Sequence, residues 1–250
     1  MAENPLIDKV ALVTGGAHRL GATIARALHA QGMRLVIHYH SSEIPAHALQ
    51  NELNQERADS VMLVRGDLAN GEKLHRNLVY ETVERFGRLD VLVNNAARFY
   101  PTPLGTATEA QWSDLVDTNL KAPFFLAQAA APHLKKTGGV IVSIADIYGE
   151  RPLPEYPLYS ITKAGLIMLT KSLARELGPE VRVNAVSPGA VLWPASGADE
   201  MSKQRLISRT PLKRVGEPED IARAVVFIVR DASFMTGQVI AVDGGRLVAG

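Results

Sequence analysis

Residues 10–21 read Val-Ala-Leu-Val-Thr-Gly-Gly-Ala-His-Arg-Leu-Gly, an apolar run that passes directly into a glycine-rich turn. A helical pattern follows over Leu20–Gln31, and a second apolar run begins at Arg34. Glycines at such a turn let the chain reverse tightly and let backbone N–H groups approach a pyrophosphate at the helix N-terminus. The order of strand, glycine turn and helix therefore predicts a dinucleotide-binding unit at the start of the chain.

Short apolar runs alternate with amphipathic stretches along the rest of the chain. The predicted strands are Val10–Thr14, Arg34–His38, Val61–Arg65, Val91–Asn94, Val140–Ile144, Val181–Val186 and Val239–Val242. The predicted helices are Leu20–Gln31, Ala46–Glu56, Glu72–Phe86, Gln111–Leu134, Leu158–Leu177 and Pro218–Arg230. Nearly continuous apolar strands are typical of sheets covered by helices on both faces. The pattern predicts an α/β fold with a doubly wound, Rossmann-like parallel sheet of about seven strands.

No linker, repeat or low-complexity tract divides the sequence, so we expect a single catalytic domain over residues 1–250. The least regular stretch, 188–212, is interrupted by prolines and glycines and predicts a substrate loop. The chain has no cysteine, which excludes disulfides and cysteine-ligated zinc, and we expect no metal site. A net charge of +1 and the lack of a leader or a long apolar run predict a cytoplasmic protein that binds neither nucleic acid nor membrane.

The end of the second predicted strand bears on the choice of cofactor. It reads His38-Tyr-His-Ser-Ser42, whereas a protein that binds NAD usually places an acid here for the ribose 2′-hydroxyl. An acid would repel a 2′-phosphate, whereas His40, Ser41 and Ser42 can donate hydrogen bonds to it. The sequence therefore favours NADPH. The cofactor-binding residues predicted in this first unit are Gly15, His18, Arg19, Leu20, His38, Tyr39, His40 and Ser41.

Further cofactor residues are predicted where later strands end, because ligands of doubly wound sheets bind beyond the carboxyl ends of the strands. Asp67 and Leu68 follow the third strand, where the carboxylate can accept from an adenine amino group. Asn95 and Ala96 follow the fourth, where small residues let a cofactor approach the backbone.

Tyr159 and Lys163 open a predicted helix one turn apart and on the same face. A lysine ammonium close to a phenol favours the phenolate, so we expect the pKa of Tyr159 to lie below its ordinary value. Tyr159 would then donate a proton near neutral pH. Taken alone, such a pair is more often decoration of a helix surface.

The rest of the sequence changes that interpretation, because the chain resembles the short-chain dehydrogenase/reductase superfamily over nearly its whole length. The resemblance is carried by the Thr14–Gly21 turn, Asn94-Asn95-Ala96, Asn119, Tyr159 with Lys163, Pro188-Gly189 and Asp243-Gly244-Gly245. It implies that Tyr159 is the catalytic acid, that Lys163 binds the nicotinamide ribose, and that Asn119 supports a proton-relay water. It also implies a cofactor contact at Pro188 and Gly189 and a homotetramer.

Two departures from the superfamily narrow the resemblance. Arg19 stands where glycine is usual, and Asp146 stands where a serine usually precedes the tyrosine. Together with His38-Tyr-His-Ser41 and the stretch Asn94-Asn-Ala-Ala-Arg-Phe-Tyr-Pro-Thr-Pro-Leu104, they are similar to the pteridine reductase branch. That resemblance implies substrate contacts at Arg19 and Phe99, with Asp146 and Tyr159 as catalytic residues that also touch the substrate. Leu192 and Trp193 are expected to form a wall of the pterin pocket.

The sequence thus predicts an NADPH-dependent pteridine reductase acting on oxidised or dihydro-pterins, with dihydrofolate as a further candidate substrate. The alternative is a carbonyl or ketoacyl reductase of the same superfamily, against which Asp146 in the serine position argues. A third interpretation, a non-catalytic NADP(H) sensor, does not explain why Asn119, Tyr159 and Lys163 are all present.

Overall fold

The computed structural model describes residues 6–191 and 200–249. Its seven strands form one parallel sheet in the order β3-β2-β1-β4-β5-β6-β7. The strands are β1 (Val10–Val13), β2 (Arg34–Tyr39), β3 (Val61–Arg65), β4 (Val91–Asn94), β5 (Val140–Ile144), β6 (Arg182–Pro188) and β7 (Val239–Val242). The predicted doubly wound α/β class is confirmed, and each predicted strand is found with bounds shifted by two residues or fewer.

Helices cover both faces of this sheet. They are α1 (Arg19–Ala30), α2 (Glu43–Glu56), α3 (Glu72–Phe86), α4 (Glu109–Val116), α5 (Ala122–Thr137), α6 (Pro157–Leu177), α7 (Glu200–Ser208) and α8 (Pro218–Arg230). Alternate residues of β1 serve two cores, since Ala11 and Val13 pack with α1, α2 and α8, and Leu12 packs with α3, α5 and α6. Burial on both sides explains why the strands read as unbroken apolar runs.

Two predictions of secondary structure need correction, one of a helix and one of a loop. The helix predicted over Gln111–Leu134 is divided by a π-helical turn, Asp117–Lys121, between α4 and α5. The segment predicted as an irregular loop contains α7, whose own residues include neither proline nor glycine. Within the described ranges, no helix is long and apolar enough to cross a membrane.

The connections run to opposite sides of the sheet on either side of β1 and β4, which are neighbours although they are distant in sequence. A reversal of strand order leaves a crevice outside the carboxyl ends of the strands, and this is where doubly wound proteins bind ligands. The fold therefore opens a cleft beside the glycine turn that follows β1.

Candidate active site

A cleft of about 490 Å³ opens at this edge of the sheet. Every described residue that the sequence predicted as a cofactor contact lines it: Gly15, His18, Arg19, Leu20, His38, Tyr39, His40, Ser41, Asp67, Leu68, Asn95, Ala96, Lys163, Pro188 and Gly189. Asp146 and Tyr159 line the same cleft, whereas the buried Asn119 and the partly exposed Phe99 do not. Leu192 and Trp193 lie outside the described residues. The described residues contain no cluster of three or more histidine or acidic side chains that could hold a metal ion.

The glycine turn is locked to the turn that follows β4. The Thr14 hydroxyl accepts from the backbone N–H of Asn95 at 3.0 Å, and Nδ2 of Asn95 donates to the Gly15 carbonyl at 3.0 Å. Gly15 has φ of +59°, and an added Cβ would lie 2.9 Å from Cα of Ala96. Only glycine adopts this positive φ without strain and also leaves room for Ala96. Gly15 therefore allows the two turns to approach each other closely.

His38 lies beneath the turn, and both of its ring nitrogens are engaged. Nδ1 accepts from the Gly15 N–H at 3.2 Å, and Nε2 lies 3.0 Å from the Gly66 carbonyl, to which it donates in the matching tautomer. Burial lowers the pKa of His38 to about 4, so the ring is neutral near pH 7. The single N–H of His38 therefore holds the turn, and His38 lines the cleft without a free donor.

The end of β2 offers donors to the cleft and no carboxylate. His40, Ser41 and Ser42 line the cleft, and the hydroxyl of Ser42 lies 3.3 Å from Nδ1 of His18. The first acid after β2, Glu43, pairs with Arg65 at 3.2 Å. This donor set fits a 2′-phosphate better than a ribose 2′-hydroxyl, which an acidic acceptor would hold.

Arg19 occupies the left-handed region with φ of +51°. Such a conformation costs roughly 1–2 kcal/mol for a residue with a side chain, which explains why glycine is usual here. A strained residue in the wall of a cleft points to a use for its side chain. Arg19 thus lies beside the glycine turn although its backbone conformation is unfavourable for a residue with a side chain.

The phenol of Tyr159 donates to Oδ2 of Asp146 at 2.8 Å. Burial raises the pKa of Tyr159 well above its ordinary value, and the charge of Asp146 and this hydrogen bond raise it further. The expectation that Lys163 brings this pKa below its ordinary value is therefore wrong, because burial and Asp146 raise it. Burial also raises the pKa of Asp146, although the Tyr148 amide, Lys163 and the Tyr159 hydroxyl each oppose the shift.

Lys163 is fully buried behind Tyr159. Its ammonium donates to the Ile144 carbonyl at 2.8 Å and lies 5.6 Å from the centre of the Tyr159 ring. Burial lowers the pKa of Lys163 to about 8, and the charge of Asp146 only partly offsets this effect. Near neutral pH the site therefore contains one buried cation beside a phenol and a carboxyl group.

Asn119 lies in the π-helical turn, a kind of irregularity often found at functional sites. Its Oδ1 accepts from the Arg98 N–H at 2.8 Å, and its Nδ2 donates to the Arg98 carbonyl at 3.0 Å and to Oγ1 of Thr162 at 3.1 Å. The side chain thus clamps the turn after β4 against α6. Its expected support of a relay water stays a prediction.

Comparison with known proteins agrees with this geometry. A family model described as enoyl-(acyl carrier protein) reductase matches residues 15–246. The chain belongs to the short-chain dehydrogenase/reductase superfamily. It is 37% identical to a protein named 3-oxoacyl-(acyl-carrier-protein) reductase FabG from Staphylococcus epidermidis, over 96% of this chain and 99% of that protein. It is 38% identical to FabG of Staphylococcus aureus, over 96% and 98%, and to a putative ketoacyl reductase of granaticin polyketide synthesis from Streptomyces violaceoruber, over 94% and 95%.

These relatives overturn the prediction of a pteridine reductase with a pterin substrate. They are named ketoacyl reductases, which supports the alternative interpretation of this short-chain reductase. The ring of Phe99, expected to stack on a pterin, instead stacks on Tyr156 with centroids 4.6 Å apart, and its edge contact with Tyr159 is at 4.7 Å. Phe99 therefore packs against the ring of Tyr159.

Among the site residues that the sequence did not predict, two make hydrogen bonds that shape it. Arg98 lines the cleft and bonds to Asp67, while Thr162 joins Asn119 to α6. Arg98 directly follows the Asn-Asn-Ala-Ala turn, and this position in the sequence could have predicted that it lies beside the cleft. Nothing in the sequence pattern indicated Thr162, because its contact spans 43 residues.

Proposed function

We propose that this protein is an NADPH-dependent reductase that converts the ketone of a 3-oxoacyl thioester to a hydroxyl group. The observation that most directly supports this proposal is the buried Tyr159–Lys163 pair in the cleft, with the phenol hydrogen-bonded to Asp146. The names of relatives that are 37–38% identical over almost the whole chain supply the substrate class.

NADPH fits the groups that line the cleft. The glycine turn and the start of α1 would hold the pyrophosphate, and His40, Ser41 and Ser42 would donate to the 2′-phosphate. Asp67 would accept from the adenine amino group, and Lys163 would bind the nicotinamide ribose. When bound, the nicotinamide supplies a hydride to the carbonyl carbon.

Tyr159 would supply the proton that the carbonyl oxygen needs as the hydride adds to the carbon. The oxygen gains this proton and the carbon gains the hydride, so that a ketone becomes a secondary alcohol. Lys163 holds a positive charge 5.6 Å from the Tyr159 ring, which favours the phenolate left after the transfer. Solvent then returns a proton to the phenolate.

Asp146 makes this transfer dependent on pH. As a carboxylate it competes with the substrate for the Tyr159 hydrogen and repels the negative charge that develops on the carbonyl oxygen. As a carboxylic acid it can itself donate to that oxygen. Because burial raises the pKa of Asp146, more of the acid form is present at a given pH than for an exposed aspartate.

The test is oxidation of NADPH by the purified protein with acetoacetyl thioesters of coenzyme A and of acyl carrier protein. We expect formation of the 3-hydroxyacyl product, and Tyr159→Phe should lower kcat by about 10²–10⁴-fold because it removes the proton donor. Binding of NADPH without its oxidation by any 3-oxoacyl thioester would contradict the proposal.

Self-association as a homotetramer is part of this proposal. Apolar side chains on α5 and α6, namely Phe124, Ile161 and Met168, are 43–59% exposed, and burial against another copy would remove them from water. Light scattering of the eluting protein should give four times the chain mass, whereas the mass of one chain would contradict the expectation.

A further inference from the structure

Arg98 connects three separate parts of the active site. Its guanidinium donates to both carboxylate oxygens of Asp67 at 3.0 Å, and it also forms an ion pair with Asp114 on α4. Its backbone N–H and carbonyl both bond to the side chain of Asn119. One residue thus joins the turn after β3, the last turn of α4 and the π-helical turn.

The bonds of Arg98 leave Asp67 ionised and oriented. Burial acts to raise the pKa of Asp67, but the Ala69 amide and the charges of Arg98 and His40 bring it below its ordinary value. Oδ1 accepts from Arg98 and from the Ala69 N–H at 3.0 Å. Among the described residues Oδ2 takes a hydrogen bond only from Arg98, and Nε2 of His40 lies 3.7 Å from it, beyond hydrogen-bond distance. A carboxylate has about four acceptor positions, so Oδ2 keeps room for a further donor.

The charges around Arg98 also indicate that Asp67 can accept a further hydrogen bond. One guanidinium faces two carboxylates, those of Asp67 and Asp114. The Tyr100 hydroxyl donates to Asp114 at 2.8 Å and so satisfies part of the second carboxylate. Arg98 alone does not balance the two carboxylates, and this favours a further hydrogen-bond donor at Asp67, on the side that lines the cleft and lies 3.7 Å from Nε2 of His40.

The backbone of Arg98 is also connected, through Asn119, to α6, the helix that carries Tyr159. Asn119, clamped by the backbone of Arg98, donates to Oγ1 of Thr162, whose hydroxyl donates to the carbonyl of Tyr159 at 2.7 Å. Anchoring the Arg98 side chain to two acids fixes the backbone that Asn119 grips. The adenine end of the cleft and the helix turn that carries Tyr159 are thus held by the same residue.

We propose that Arg98 is a positioning residue that fixes Asp67 as the acceptor for the adenine amino group and, through its backbone, holds Asn119 beside α6. The inference rests on the proposed use of NADPH, but not on which carbonyl compound is reduced. Arg98 itself need not touch the reacting atoms.

The test compares the dissociation constants of NADPH and of its hypoxanthine analogue, in which an oxygen replaces the adenine amino group. Binding is followed by cofactor fluorescence without any carbonyl substrate. A hydrogen bond to a charged acceptor predicts that the wild type prefers the adenine form by about tenfold. Asp67→Ala should abolish the preference and Arg98→Met should reduce it to about twofold or less, while adding Arg98→Met to Asp67→Ala should change it no further.

Arg98→Lys provides a milder variant, because lysine keeps the charge but its single ammonium cannot replace both the Nη2 contact with Asp67 and the Nη1 contact with Asp114. We expect it to retain an intermediate preference, and it serves as the readout if Arg98→Met does not fold. Arg26→Met is the matched control, since Arg26 makes a similar two-bond contact with Glu52 on the surface, away from the cleft. The control should bind both cofactors as the wild type does.

Loss of the preference in Asp67→Ala but not in Arg98→Met would overturn the proposal, as would a wild type without any preference. Failure to reduce 3-oxoacyl thioesters would count only against the proposed substrate class, because the binding ratio is measured without substrate. The two failures are therefore distinguishable.

Discussion

The phenolic oxygen of Tyr159 lies 2.8 Å from Oδ2 of Asp146, so the hydrogen that a carbonyl substrate requires is already held by a carboxylate. Lowering the pH neutralises Asp146, whose pKa is raised by burial, and frees the phenol. We therefore expect kcat/KM for a 3-oxoacyl thioester to rise as the pH falls from about 8 to about 5. Steady-state rates across this range provide the check.

Asp146→Ser removes the competing charge and keeps a hydroxyl that can donate to the substrate oxygen. We expect kcat/KM at about pH 8 to rise roughly tenfold, with a smaller gain at acid pH, where a larger fraction of the wild-type carboxyl is neutral. Asp231→Ser, at the exposed end of α8, is the control and should leave kcat/KM unchanged at both pH values. A loss of activity at every pH would show that the carboxyl itself promotes the reaction.

Lys163 predicts the alkaline limb of the rate profile. Its pKa is lowered to about 8, so it loses its charge above that pH, whereas burial keeps Tyr159 protonated. We expect kcat/KM to decline above about pH 8. Lys163→Arg should be slower overall but should not show this decline, because a guanidinium stays charged. The same decline in the variant would assign it to another group.

Arg19→Gly separates stability from binding. Glycine adopts a φ of +51° without the penalty of a Cβ, so the variant should be more stable by about 1 kcal/mol, with Tm higher by about 2–4 °C. It should bind NADPH more weakly, because a cation in the wall of the cleft is lost. Asp59→Gly, at a φ of +56° on the surface, should show a similar gain in Tm with unchanged NADPH binding.

His38→Asn tests the role of the buried imidazole. The pKa of His38 is lowered to about 4, so in the wild type its neutral form stabilises the fold above about pH 6.5. This contribution, roughly 3 kcal/mol, is lost as the pH falls from about 6.5 to about 4. Urea unfolding at several pH values should show a weaker loss in His38→Asn. Some loss will remain, because burial also lowers the pKa of His29 and of His75. An unchanged pH dependence would contradict this role.

The sheet and the residues that line the cleft were predictable from the sequence for a simple reason. Strands covered on both faces read as continuous apolar runs, and their carboxyl ends must meet at one edge. Predicting residues at those ends, such as Asp67 and Asn95, therefore required only the strand boundaries.

Other features depend on contacts between residues far apart in the chain. The π-helical turn at Asn119 is held by Arg98 and Thr162, neither of which a helical pattern can indicate. The pKa of Tyr159 was predicted from its neighbour Lys163 alone, but burial and Asp146 outweigh that charge. The substrate class depended on a resemblance of short motifs, and relatives matched over the whole chain carry a different name.

The most direct test of the account compares kcat/KM of the wild-type protein for acetoacetyl-acyl carrier protein and for dihydrobiopterin, each with NADPH. The account predicts turnover of the thioester to a 3-hydroxyacyl product, with the rate higher at acid pH and lost in Tyr159→Phe. Oxidation of NADPH by the pterin with no turnover of the thioester would contradict it.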